Sequence, residues 1–266
     1  STAGSSIAPR KSFASFLIAG TLVPVLTILA LLLALFSYSG PITPLQALAD
    51  GEVMSAVGLS LFCATVAALL GMAVAIPTAY TLARVPFPGR RFVDTLLDIP
   101  VVLSPVAIGM MLLLAFRTSP GSWIQENLLR FVFELPGIIL AQFIVVSALQ
   151  IRVLKSTFEE IPARTELVAR LLGCGPWNAF WRVTLPLARP GLISALILGW
   201  GRAMGEYGAT VTIAGAMRGK TETIPVGIAL NWSAVRVDAT IGLILVLVAT
   251  TFLVLLALRT MGREHR

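Results

Sequence analysis

The stretch Leu172–Leu187 reads LGCGPWNAFWRVTLPL. It stands between two long apolar runs and interrupts them with Gly173, Gly175, Pro176 and Pro186, with Trp177, Phe180 and Trp181 in between. The residues before it, RTELVARLL from Arg164, have helical character, with Thr165 as a cap and Glu166 in a first turn where the helix dipole favours an acid. Gly173 supplies the left-handed residue that ends a helix. Pro176 suits the first turn of a second one. Trp177, Phe180, Trp181 and Thr184 then recur at helical spacing as one face, and Pro186 closes the segment. The pattern predicts two short helices across a tight turn. What such an element does depends on what surrounds it.

The surroundings are membrane. Of 266 residues, 57% are hydrophobic and only 12% charged, with mean hydropathy +0.90. Soluble domains carry about twice that charge. The formal charge of +7 is scattered between apolar runs, without the basic face that nucleic-acid binding requires, so no nucleic-acid partner is expected. Basic loops instead anchor a membrane protein against anionic lipid. Cys63 and Cys174 offer neither a disulfide framework nor metal-ligand spacing. The first apolar run follows Arg10 and Lys11 and is too long for a signal-peptide core, so it is expected to stay in the bilayer.

Runs long enough to cross, about 20 residues, lie near 14–37, 53–83, 92–116, 136–153, 187–213 and 237–259. The fold class expected is all-α integral membrane, one transmembrane domain over 1–266 with six transmembrane helices. The second run exceeds a bilayer's need, so it tilts or projects. Gln142 and Gln150 weaken the fourth. With six spans both termini share a side. That side collects fourteen Lys and Arg, Arg10, Lys11, Arg84, Arg90, Arg91 and Arg152 among them, and the other collects five, namely Arg117, Arg130, Arg218, Lys220 and Arg236. The imbalance predicts cytoplasmic termini and a cytoplasmic Leu172–Leu187 between spans four and five.

Taken alone, that segment reads equally as an interfacial helix anchored by its aromatics. Its spacing adds something. After Gly173 come nine residues, then Val183, and then Leu185-Pro186. This resembles the cytoplasmic "EAA" loop of ABC importer permeases, whose pattern is EAA, a short gap, Gly, nine residues and I-x-L-P. Aligned on Gly173, the EAA positions fall on Leu167, Val168 and Ala169, a departure that leaves any acidic contact to Glu166, one place earlier. LLDIPVVLSPVAIGMMLLL (Leu96–Leu114) and GWGRAMGEYGATVTIAG (Gly199–Gly215) are similar to segments of the oxyanion branch, and GEYGATVTIAGAMRGKTETIPVGIAL is closer to molybdate and tungstate permeases than to sulfate ones.

The resemblance implies a homodimer in the cell membrane with two ABC ATPase subunits on the cytoplasmic side. It also implies an extracytoplasmic oxyanion-binding protein. The chain itself would bind no cofactor and catalyse nothing, with ATP and Mg held by the ATPase. Glu166, Leu167, Val168, Ala169, Arg170, Gly173, Cys174, Trp177 and Pro186 would form the ATPase-coupling loop, with Trp177 to Trp181 bracing it against the membrane. A sulfate or thiosulfate permease, and a stand-alone ion-coupled transporter, are the alternatives.

Inside the membrane, Arg202 and Glu206 are four residues apart on one helix face of span five. A central charge costs roughly 2.5–3.5 kcal/mol on insertion scales, so the two are read as a packing pair or as lining a pathway. Gly201-x-x-x-Gly205 overlaps them and suggests a close helix approach. Ser104, between Pro100 and Pro105, marks a bent span three and a pathway candidate. Asp94 and Asp98 have the spacing of paired carboxylates, but lie beside Arg90 and Arg91, where ion pairing is the simpler reading. AGAMRGKT (Ala214–Thr221) imitates a phosphate-binding loop without the strand that such a loop needs. Arg218 and Lys220 there suit contact with an external partner or a solvated loop. No hydrolytic or metal-binding motif is present.

Overall fold

The structure is a computed structural model that describes residues 11–39 and 51–263. Arg10, Arg266 and the terminal His265 lie outside the described residues. Everything described is helix or connecting turn: α1 Lys11–Ser39, α2 Gly51–Arg84, α3 Arg90–Val102, α4 Pro105–Ala115, α5 Ser119–Asn127, α6 Leu135–Glu160, α7 Ala163–Leu171, α8 Pro176–Leu187, α9 Arg189–Met204, α10 Gly208–Ala214, α11 Ile224–Ser233 and α12 Val237–Arg263. Among the described residues, α1, α2, α6 and α12 each satisfy the length and apolarity of an unbroken span, and the pairs α3–α4 and α8–α9 satisfy them only as bent pairs.

The helix α2 is the axis of the molecule. Its 34 residues extend about 51 Å at 1.5 Å per residue, well beyond a hydrocarbon core of about 30 Å. It packs most extensively on α6 and also against α9. Ala64, Ala67, Ala68, Ala75 and Ala79 are fully buried along it, small residues that let the helix backbones approach. Gln150, in the middle of α6, sits in a slot between two glycines. A Cβ on Gly71 would lie 2.2 Å from its Oε1, and one on Gly199 would lie 2.3 Å from its Nε2. That Nε2 donates to the Ala68 carbonyl at 3.1 Å. Both glutamines of the fourth run are buried, and α6 runs unbroken through them.

Span three is not one bent helix but two helices at 111°. Pro100 lies inside α3, which continues through it. The chain turns instead at Leu103 and Ser104, both extended, because the residue before a proline is driven out of the helical region. Ser104 then caps α4, its hydroxyl accepting from Ala107 N at 3.3 Å, with Pro105 in the first turn where no donor is missed. Span five is broken as well. α9 ends at Met204, and α10 begins at Gly208. The break between α8 and α9 bends by 70° at Ala188, two residues after the expected stop at Pro186.

Candidate functional site

α7 and α8 form the expected two-helix element, and their joint is built as the residues dictate. α7 starts earlier than Thr165, at Ala163 after Pro162. It ends in the bonded pattern that a left-handed glycine permits: Gly173 has φ +95°, Gly173 N donates to Arg170 O, and Cys174 N donates to Ala169 O. Pro176 opens α8. Within α8, Phe180–Thr184 is a π-helical turn. Leu185 N reaches back to Phe180 O there, just before Pro186, which has no N–H to give.

The extra residue in that turn divides the aromatic face predicted from spacing. Trp177 and Trp181 remain exposed, whereas Phe180 is half-buried and Thr184 fully buried. Phe180 packs edge-on against Tyr80 of α2, centroids 4.7 Å apart, and Tyr80 in turn meets Phe158 of α6 at 5.7 Å. Glu166 closes the arrangement. Its Oε1 accepts from the Tyr80 hydroxyl at 2.6 Å, and its Oε2 accepts from the Thr184 hydroxyl at 3.1 Å. A guanidinium nitrogen of Arg84 donates to the Ile161 carbonyl, tying the end of α2 to the turn before α7. The outward surface is apolar: Leu167, Val168, Leu171, Leu172 and Trp177 are all exposed, flanked by Arg164, Arg170 and Arg182. Of the coupling-loop candidates, Glu166 thus bonds inward, Leu167, Val168 and Trp177 face out, and Ala169 and Cys174 are half-buried. Tyr80 carried no signal of a role in the sequence, and spacing placed Thr184 on the aromatic face without pointing to Glu166.

The other charged candidates separate by environment. Asp94 and Asp98 are not a carboxylate pair. Asp94 meets Lys155 at 2.6 Å, and Asp98 meets Arg152, both across to α6. Arg90 approaches Glu159 at 3.8 Å, so three pairs run down the α3–α6 seam. Arg202 and Glu206 pair at 2.6 Å. They do so across a helix end rather than along a helix face, because α9 stops between them. The Glu206 side chain is 1% exposed and Arg202 36%. Glu206 Oε1 also accepts from Ala209 N at 2.9 Å, which caps α10. Among the described residues, the Gly201–Gly205 pair makes no close helix crossing: a Cβ on Gly201 would meet Leu255 at 3.8 Å. The tight approach is elsewhere. Gly109 of α4 abuts Ala209 and Thr212 of α10, and Gly208 abuts Pro105 and Val106. Ser104 and Pro105 therefore start a helix locked to α10.

At the far end of α2, Arg218 approaches Glu52 at 3.7 Å and Lys220 bonds to Glu134 at 2.5 Å. The phosphate-loop mimic is thereby held by its own chain, as a turn with Thr221 accepting from Met217 N. Asn231 of α11 is buried, its amide donating to Gly227 O. Among the described residues, no cluster of three or more His, Cys, Asp or Glu could hold a metal.

An all-α chain with several membrane-length helices, two bent helix pairs and a two-helix knuckle defines a multi-pass helical membrane protein. The family model for the binding-protein-dependent transport system inner membrane component matches residues 71–262, and the chain belongs to that family of ABC importer permeases. Among curated relatives, the sulfate transport system permease protein CysW of Synechocystis sp. is 34% identical over 215 residues, covering 79% of this chain and 78% of the relative. The molybdenum transport system permease protein ModB of Haemophilus influenzae is 36% identical over 175 residues, 65% of this chain and 76% of the relative. The probable transport system permease protein NifC of Clostridium pasteurianum is 31% identical over 222 residues, 82% and 78%. In fold, the chain is similar to a chain of a bacterial ABC transporter involved in import of the acidic polysaccharide alginate, with TM-score 0.75 and 17% identity over 94% of this chain and 96% of that one.

Proposed function

We propose that this permease carries a tetrahedral oxyanion inward as one half of a homodimer. In this reading the α7–α8 knuckle lies in the cytoplasm and docks into an ABC ATPase, which binds ATP and Mg, while an extracytoplasmic binding protein delivers the anion from the other side. The observation that carries the reading is the outward surface of the knuckle. Leu167, Val168, Leu171, Leu172 and Trp177 expose large apolar area on an element with no buried residue in α7, between arginines. Apolar area of that kind, rimmed by polar groups, marks a protein partner. The excess of Lys and Arg on the same side supports a cytoplasmic knuckle and cytoplasmic termini.

For the cargo, relatives named for sulfate and for molybdenum are about equally similar, at 34% and 36% identity. Both names point to an oxyanion. The likeness of Gly205–Leu230 to molybdate and tungstate permeases favours those two over sulfate. ATP-driven closure of the ATPase pair would bring the two knuckles together, and the helices would carry that motion to the access route as rigid bodies.

A tagged chain should co-purify a nucleotide hydrolase from its own membranes. Leu171→Asp combined with Leu172→Asp should abolish that capture while the permease still inserts and elutes as a single species. Capture by the double variant at the unsubstituted level would remove the knuckle as the docking element. Uptake of labelled molybdate, challenged by excess tungstate or sulfate, decides the cargo: competition by tungstate and not sulfate is the expected outcome.

A further inference from the structure

Within the knuckle, α7 is the less embedded helix, and one carboxylate ties it both to the bundle and to α8. None of the residues of α7 is buried. It enters through the turn at Ile161–Pro162 and leaves through the left-handed Gly173. Glu166 reaches from it in two directions, to Tyr80 near the end of α2 and to Thr184 in the π-turn of α8. α2 continues from Tyr80 to the opposite end of the molecule, where Glu52 meets Arg218 and Ser60 accepts from the N-terminal amide of α11 at 2.8 Å.

We infer that Glu166 is a positioning residue that clamps α7 to α2 and to the π-turn of α8, so that a push on the knuckle becomes a movement of α2 rather than a pivot of α7 about its joints at Ile161–Pro162 and Gly173. This rests on the importer reading above and differs from the role that the family resemblance implies for Glu166, an acidic contact with the ATPase. The chemistry separates the two. Both carboxylate oxygens accept from neutral hydroxyls, and among the described residues no cation pairs with them. The clamp needs two hydrogen-bonding positions, not a negative charge. Glutamine can meet that need: its carbonyl accepts from Tyr80, and its amide donates to Thr184, whose hydroxyl rotates to receive it. Docking through charge would instead depend on the carboxylate and be indifferent to Tyr80.

Four variants, Tyr80→Phe, Thr184→Val, Glu166→Ala and Glu166→Gln, separate the two roles in the intact complex with its ATPase. Three quantities are read for each: the yield of captured ATPase, ATP hydrolysis by the purified complex, and uptake of radiolabelled sulfate and molybdate by cells carrying the variant in place of their own gene. Tyr80→Phe keeps the ring packing and loses one donor. Expected is uptake lowered roughly tenfold, the scale of one hydrogen bond to a charged acceptor, with ATPase capture and ATP hydrolysis retained. Thr184→Val should behave alike, Glu166→Ala at least as badly, and Glu166→Gln should restore most of the uptake. A damaging Glu166→Gln beside a neutral Tyr80→Phe would overturn the clamp in favour of docking. Parallel loss of capture and uptake in Tyr80→Phe would overturn it too, since that is failed assembly. If the unsubstituted chain captures no ATPase, or takes up neither anion, the importer reading itself falls and the clamp falls with it.

Discussion

Two charged patterns in this chain have the same spacing and opposite fates. Asp94 and Asp98 are four apart, as are Arg202 and Glu206. On α3 the helix continues between the two aspartates, so both point to one side and find separate partners on α6, Lys155 and Arg152. Between Arg202 and Glu206 the helix ends. The backbone amides in the first turn of α10, which starts at Gly208, need an acceptor, and Glu206 supplies it to Ala209 while keeping Arg202 as its counter-ion. The first pattern is a seam between two helices, about one-third exposed on the acidic side. The second is a buried joint on which the placement of α10 depends. Equal spacing therefore carries unequal energy, and burial together with backbone continuity decides which.

The comparison breaks most readily at Glu206. Glu206→Ala removes both the cap and the counter-ion of Arg202, at a cost of about 2–4 kcal/mol. The expected outcome is a clear drop in the thermal midpoint of the detergent-solubilised protein, with poor recovery. An unchanged midpoint would mean that the joint is ornamental. Glu206→Gln sharpens the point: the amide oxygen still accepts from Ala209 N, but the ion pair is gone. Because Arg202 is more than one-third exposed, solvent compensates part of that loss, and about 1–2 kcal/mol is expected. A Gln variant as damaged as the Ala variant would assign the whole effect to charge.

On the seam, Asp94→Asn should cost less, about 1 kcal/mol or below, and should depend on salt because both partners reach solvent. Arg90→Ala should be the weakest, within about 0.5 kcal/mol, since its partner lies at 3.8 Å with both side chains more than one-third exposed. Unfolding midpoints across a salt series rank the four. An Arg90 effect rivalling that of Glu206 would overturn the distinction between seam and joint.

Much of the fold was legible before any coordinates. Length, apolar runs and proline positions located the helices, and Gly173 and Pro176 marked the knuckle because each has few conformational alternatives. The ends of broken helices were less legible. Pro100 looked as potent as Pro105, yet only the second stands at a break, where Ser104 could cap a new helix. Pro186 looked like a stop, but the chain turns at Ala188. For the site, the outward apolar residues of the knuckle were readable as candidates. The inward role of Glu166 was not, because its partners lie 86 residues upstream and 18 downstream, and no periodicity links such positions. Gln150 misled in a similar way. In sequence it weakens a span, and in the fold it fills the slot that Gly71 and Gly199 leave.

What the sequence determined by itself is local and additive: which runs are apolar enough for a bilayer, which residue permits a positive φ, where a backbone donor is missing. These follow from single residues and their near neighbours. The tertiary structure alone decided which polar groups meet. A carboxylate, a hydroxyl or an amide finds its partner by where three helices bring it, and burial then fixes how much each meeting is worth.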